Sequence, residues 1–103
     1  MEIYNNVLKA DGEQLMVVHI GGSNAELEIE NYQKEIRPLL YKQLHLIDGD
    51  VASILNSIDN IIAECNFNEE ITKEQNNYLS KIYMELIEKI KVHVDNFRKN
   101  LYD

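Results

Sequence analysis

The clearest pattern in this sequence is a pair of apolar stripes with helical spacing in its C-terminal half. Apolar residues recur every three or four positions over Val51–Cys65, with polar residues on the opposite face, and this predicts a helix. A second stripe, over Leu79–Leu101, predicts a helix from about Thr72 to Tyr102. That helix is about 45 Å long at about 1.5 Å per residue.

Residues 25–46 carry a third apolar stripe, which predicts the first long helix. Pro38 lies inside it, and because proline lacks an N–H and clashes with the preceding turn, we expect a kink or break near residues 35–37. Two capping-box patterns, Ser23–Glu26 and Thr72–Gln75, predict the starts of the first and third helices. Asp50 is the predicted N-cap of the second helix.

The N-terminal segment, residues 2–20, is predicted to be a β-hairpin. Its arms, residues 2–10 and 13–20, flank Asp11-Gly12, a dipeptide typical of tight hairpin turns. The second arm is rich in β-branched residues and almost continuously apolar over residues 15–20, which suits a strand buried on both faces or one at an interface. A helix over residues 3–18 is the alternative interpretation.

These elements predict a single, mainly α domain of the α+β class over residues 1–103. A β-hairpin (1–22) precedes a three-helix antiparallel bundle (23–103) that ends in the long helix. The second helix is too short to cover the third, so part of the third stripe needs another surface, either the first helix or a second copy of the chain. The second possibility predicts a homodimer, with these residues in the contact: Ile90, Val94, Phe97 and Leu101.

Charge and cysteine content narrow the classes of partner. The chain has 103 residues and a net charge of −8, which argues against binding nucleic acid or an anionic membrane. No apolar run reaches the length of a membrane span. A single cysteine, Cys65, cannot form an internal disulfide. We therefore expect a cytoplasmic protein, of a bacterial or other cell or of a virus-infected host.

The sequence carries no recognisable catalytic pattern. The three histidines lack metal-ligand spacing, and Cys65 continues an apolar stripe, which indicates a buried side chain and not a nucleophile. We expect no enzyme, no catalytic residue, no metal and no cofactor. An anion could be held only at the glycine turn or beside the proline break, by Gly22, Ser23 and Arg37.

The distribution of charge suggests a function. Residues 1–71 contain 13 acidic and 4 basic residues, whereas residues 72–103 are close to neutral. A lopsided negative field steers a protein toward a basic partner. The sequence thus predicts a small protein-interaction module, similar to an inhibitor, an immunity protein or an antagonist, that binds a basic surface of another protein. Its candidate contacts are Glu26, Glu28, Glu30, Tyr41, Asp48, Asp50, Glu69 and Glu70.

Two other functions compete with this one. The long apolar stripe suggests a chaperone-like or assembly homodimer that sequesters an amphipathic segment of another protein. The glycine turn at Gly22 and Ser23, together with Arg37, suggests a protein that binds a small anionic ligand in a pocket between subunits.

Overall fold

The computed structural model describes residues 2–22 and 24–102, with the side chains described as far as residue 100. It is mostly helical, with one antiparallel two-stranded hairpin near its N-terminus and a long C-terminal helix. In chain order the elements are α1 (Glu2–Glu13), β1 (Val17–Gly21), β2 (Asn24–Leu27), α2 (Ile29–Asn31), a π-helical segment (Tyr32–Ile36), α3 (Arg37–Tyr41), a 3₁₀ turn (Leu44–Leu46), α4 (Gly49–Phe67) and α5 (Lys73–Tyr102).

The predicted C-terminal helix is confirmed as α5. Its start is fixed by the predicted capping box, in which the Thr72 N–H donates to Gln75 Oε1 at 2.9 Å and the Gln75 N–H donates to Thr72 Oγ1 at 3.0 Å. With 30 residues it sets the longest dimension of the molecule, 48 Å. From Leu79 to Val94 its stripe is buried.

Helix α4 is also confirmed, but its cap is not the predicted one. The extended N-cap residue is Asp48, and Asp50 lies in the first turn, where its carboxylate accepts a hydrogen bond from the Val51 N–H. The short loop 68–72 joins α4 to α5. His93, far along α5, contacts Asp50 at the start of α4, so the two helices run antiparallel.

The prediction of a hairpin over residues 2–20 is wrong, because residues 2–13 form α1. The apolar residues of this segment are spaced for a helix, which buries Tyr4 and Val7 against the core. The Asp11-Gly12 pair makes no hairpin turn; it lies in the last turn of α1. The alternative interpretation, a helix, is therefore the correct one for this part of the chain.

The hairpin lies further along the chain than predicted. Its strands β1 and β2 flank Gly21 and Gly22, whose φ angles of 125° and 57° are ones that glycine adopts readily. The capping box predicted at residues 23–26 is therefore wrong, because Asn24–Leu27 is a strand. Ser23 itself lies outside the described residues.

The first predicted bundle helix begins later and ends earlier than expected, as a continuous helical stretch over residues 29–41 that we call the composite helix. Its π-helical segment, Tyr32–Ile36, directly precedes Arg37-Pro38. Pro38 has no N–H and its ring crowds the carbonyl four residues earlier, so a widened turn here relieves the clash. The predicted disturbance at the proline thus takes the form of a π-helical turn.

Helix α1 changes the prediction about self-association. It packs against α5, where the Tyr4 and His93 rings lie 5.8 Å apart. As a result Ile90 and Val94, predicted to contact a second copy, are buried within the chain itself. Phe97 is 44% exposed, and the Leu101 side chain lies outside what the structure describes. Among the described residues, no helix has both the length and the apolar character needed to cross a membrane.

Candidate functional site

The two outer edges of the hairpin have different surroundings, and this difference defines the candidate site. Helix α5 covers the outer edge of β2. The Leu27 N–H donates to Asn76 Oδ1 at 2.8 Å, and the Ala25 N–H donates to Asn77 Oδ1 at 3.1 Å. Both strand residues are buried. Two side-chain amides thus take the place of a third strand, and we call this the closed edge.

The outer edge of β1 is the opposite case. Because Ala25 and Leu27 point their N–H groups away from β1, their cross-strand partners His19 and Val17 occupy non-hydrogen-bonded positions of the ladder. The N–H and C=O groups of Val17 and His19 therefore point away from β2. No hydrogen bond to them is found within residues 2–22 and 24–102. We call this row of backbone groups the open edge.

An apolar groove begins beside the open edge. It has a volume of about 550 Å³ and lies between the segment that leads into β1 and the middle of α5. Leu15, 62% exposed, and Met84, 41% exposed, lie on its surface, while Met16 and Ile87 are buried beneath. Exposed apolar surface next to the unpaired edge of a strand is a feature of binding sites for extended peptides.

Acidic side chains line the groove, and others lie on the β2 side of the hairpin. Asp11 and Glu88 line the groove; Asp11 Oδ1 accepts a hydrogen bond from the Tyr83 hydroxyl at 2.6 Å. Lys91 lies 4.0 Å from Glu88 and is the basic residue of the lining. Two of the predicted contact residues belong to the β2 side of the hairpin. Glu26 lies directly across the ladder from Val18 and shares a second pocket with Lys73 and Asn77, and Glu28, just after β2, donates its N–H to the Met16 carbonyl.

Asp48 and Asp50 form a separate cluster where α1, α4 and α5 meet. The Tyr4 hydroxyl donates to Asp48 Oδ2 at 2.7 Å and accepts from the Asp48 N–H at 2.8 Å. His93 Nε2 lies 2.8 Å from Asp50 Oδ1, and this hydrogen bond lowers the pKa of the Asp50 carboxyl. These two carboxylates hold helices together, so they are less free to meet a partner than the sequence predicted.

Tyr41 and Arg37 form another internal cluster, around Asp59 of α4. The Tyr41 hydroxyl donates to Asp59 Oδ2, Arg37 Nε donates to Asp59 Oδ1 at 3.2 Å, and the guanidinium lies 4.3 Å from the centre of the Tyr41 ring. The hydrogen bond to Asp59 raises the pKa of the Tyr41 hydroxyl. Since Asp59 already neutralises Arg37, the predicted anion site loses its cation; Gly22, in the hairpin turn, is exposed.

The remaining predicted contacts lie elsewhere. Glu30 is exposed at the start of the composite helix, and Glu69 and Glu70 follow the end of α4. With 19 residues, α4 separates Asp48–Asp50 from Glu69–Glu70 by about 28 Å. The eight predicted residues therefore do not form one contiguous surface; of them, only Glu26, on β2, and Glu28, directly after it, belong to the hairpin region.

Two kinds of chemistry considered from the sequence were a reactive thiol and a bound metal ion. Cys65 is buried, and burial together with the nearby Glu64 raises the pKa of its thiol, which disfavours the reactive thiolate. Within the described ranges, no group of three or more His, Cys, Asp or Glu side chains is placed to hold a metal ion.

The open edge of β1 was not predicted from the sequence, although the sequence carries one signal for the hairpin that contains it. The apolar run over residues 15–20 contains most of a strand, as predicted, but β1 pairs with the segment after it and not with the segment before it. The side chains of β1 are half-buried or exposed, so the strand is not buried on both faces. The two glycines that follow the run were the better indicator of the hairpin turn.

Comparisons of this chain with protein-family models, with curated proteins and with solved structures find no match.

Proposed function

We propose that this chain is a small acidic protein-interaction module, of the inhibitor, immunity or antagonist type, that binds a basic surface of a partner protein. The observation that carries the proposal is that most of its carboxylates are not neutralised. Within the described residues, only two Lys or Arg side chains form ion pairs with carboxylates, Arg37 with Asp59 and Lys91 with Glu88. The net charge of −8 therefore produces a negative electrostatic field around the protein, and this field can steer a basic partner toward it.

The scaffold in this proposal is a three-helix antiparallel bundle of the composite helix, α4 and α5, with α1 and the hairpin packed on it. The Asp59 cluster supports the contact between the composite helix and α4. We place the module in the cytoplasm, which is in keeping with its single free cysteine.

Affinity capture at low and at high salt, with identification of the eluted proteins by mass spectrometry, tests the proposal. The purified partner is then titrated at several salt concentrations. We expect a basic partner whose affinity falls steadily as salt rises, because screening weakens charge attraction. A partner with no basic surface, or an affinity that does not change with salt, would overturn the proposal.

Two double variants locate the surface. The first variant combines Glu26→Gln with Glu28→Gln, and the second combines Glu69→Gln with Glu70→Gln. Each double variant removes two negative charges, so both alter the total charge equally. We expect the first pair to weaken binding about tenfold and the second pair to weaken it less. Glu26 and Glu28 lie on and directly after the strand that pairs with β1, whereas Glu69 and Glu70 follow the far end of α4. An equal loss from both pairs would mean that net charge alone attracts the partner.

Self-association is a competing proposal with a reduced basis. Of the four residues predicted for it, Phe97 is the one that the structure describes as exposed. Light scattering over a range of protein concentrations tests it, together with Phe97→Ser. A dimer that this variant dissociates would favour the assembly function, whereas a strict monomer at high concentration would exclude it.

A further inference from the structure

We propose that the open edge of β1 binds an extended segment of the partner as an added β-strand, with an apolar side chain of that segment in the groove and basic side chains beside it. This inference rests on the proposed function and names its mode of recognition. The occupant is an extended, basic and apolar stretch of polypeptide.

Backbone hydrogen bonding is the first argument. Val17 and His19 present two N–H and two C=O groups with the spacing of a strand edge. At the opposite edge of the hairpin, by contrast, the N–H groups of β2 already donate to Asn76 and Asn77. An unpaired edge accepts a further strand through main-chain hydrogen bonds, whatever the sequence of that strand. The edge therefore supplies affinity, and the groove beside it supplies selectivity.

The groove is the second argument. Its volume of about 550 Å³ is ample for one large apolar side chain. The exposed Leu15 and Met84 lie on its surface, and the buried Ile87 lies beneath them. Val17 belongs both to the open edge and to the groove lining. A strand paired with Val17 thus places its alternate side chains over the groove.

Charge favours a basic segment over a second copy of this chain. Asp11 and Glu88 line the groove, together with one lysine, Lys91. On the neighbouring strand, Glu26 shares a second pocket with Glu74 and Lys73, so carboxylates outnumber lysines around both pockets. Pairing β1 with β1 of a second copy would bring two such acidic surroundings together, in a chain whose net charge is −8. Like charges on neighbouring strands destabilise their pairing, whereas lysine or arginine side chains would be attracted.

A synthetic peptide of about eight residues, alternating valine and lysine and blocked at both ends, is a suitable probe. Two variants of the protein separate backbone pairing from side-chain contact. His19→Pro removes one N–H from the open edge, where proline is tolerated because that N–H takes no part in the ladder. His19→Ala removes the same side chain but keeps the N–H, and it serves as the matched control.

We expect His19→Ala to bind the peptide as the unsubstituted protein does, and His19→Pro to bind about tenfold more weakly, which corresponds to about 1.4 kcal/mol. We also expect the Val17 and His19 amides of the unsubstituted protein to become protected from hydrogen exchange on binding. That second measurement keeps the proposal testable if His19→Pro fails to fold. A peptide alternating valine and glutamate should not bind.

The outcomes distinguish this inference from the function on which it rests. If a basic partner binds with strong salt dependence but His19→Pro and His19→Ala bind it equally, strand addition is wrong and the acidic interaction surface stands. If no basic partner is captured at low salt, the proposed function fails. Protection of Val17 and His19 that grows with protein concentration, in the absence of peptide, would identify a second copy as the occupant and overturn the proposal.

Discussion

The outer edges of β1 and β2 belong to one two-stranded sheet, yet only one of them is covered. At the closed edge, Asn76 and Asn77 accept the strand N–H groups, and Leu27 is buried against α5. At the open edge, the backbone of Val17 and His19 has no such cover, and Leu15 and Ile20 flank it with exposures of 62% and 55%. One edge therefore attaches the hairpin to the fold, and the other is the edge that we propose for recognition of a partner.

The largest expected effect comes from deleting a buried side chain at the closed edge. Leu27→Ala should lower the free energy of unfolding by about 2–5 kcal/mol, because it leaves a cavity against α5. Leu15→Ala, beside the open edge, should change it by less than about 0.5 kcal/mol, because that side chain is largely exposed. Denaturant unfolding of both variants tests this, and similar losses would contradict the assignment of the two edges.

The second-largest effect is expected from the asparagine side chains of α5 that accept hydrogen bonds from the N–H groups of β2. Asn76→Ala should cost about 1–3 kcal/mol, since it leaves the Leu27 N–H without a partner in a buried position. Faster hydrogen exchange at the Leu27 amide should accompany the loss. Asn96→Ala, at an exposed position of the same helix, is the matched control and should cost nothing measurable. An unchanged exchange rate at Leu27 would argue against the closed edge.

A smaller effect, at alkaline pH, involves the tyrosine beneath the groove. Burial, aided by the hydrogen bond to Asp11, raises the pKa of the Tyr83 hydroxyl above its usual value of 10.0. The folded state therefore holds Tyr83 neutral, and its stabilisation is full below pH 10 and is lost as the pH rises. We expect Tyr83→Phe to reduce the loss of stability above pH 10 by about 1.4 kcal/mol per pH unit.

Denaturant unfolding between neutral pH and pH 11 measures that slope. Tyr78→Phe, at an exposed position of α5, is the control and should leave it unchanged. A Tyr83→Phe slope equal to that of the unsubstituted protein would mean that Tyr83 ionises in the folded state without cost.

The smallest effect is expected in acid, at the cluster remote from both edges. The hydrogen bond to His93 lowers the pKa of Asp50, so its contribution is present above the usual carboxyl range and is lost as the pH falls through the lowered value. Asp50 is partly exposed, so Asp50→Asn should cost less than about 1 kcal/mol at neutral pH. The difference should vanish in acid, and exchange at both hairpin edges should stay unchanged; a difference that persists in acid would contradict this origin.

The sequence predicted the long helices well because their signals are local. The stripe of α5 repeats every three or four residues within one helix, and the reciprocal hydrogen bonds of Thr72 and Gln75 lie within one helical turn, so neither signal depends on the rest of the chain. Pro38 likewise disturbs the carbonyl four residues before it in any helical context. These features could be assigned without knowledge of the packing, and the structure places them where they were expected.

The site was harder to predict because its residues are brought together from distant parts of the chain. Glu26 and Asp48 are equally acidic in the sequence, but only the structure shows that Glu26 lies on the strand paired with β1 and that Asp48 accepts a hydrogen bond from the Tyr4 hydroxyl. Burial of Ile90 and Val94 likewise depended on α1, whose own identity the sequence left open.

The sequence by itself determined the helical C-terminal half, the perturbed turn before Pro38 and the outward negative charge, since each follows from neighbouring residues or from composition. The tertiary structure decided which segment pairs with β1, which side of that hairpin is attached to α5 and which side stays open. The physical reason is that a two-stranded hairpin is marginal on its own. Its position depends on long-range contacts, here the hydrogen bonds from Ala25 and Leu27 to Asn77 and Asn76 and the burial of both strand residues on α5.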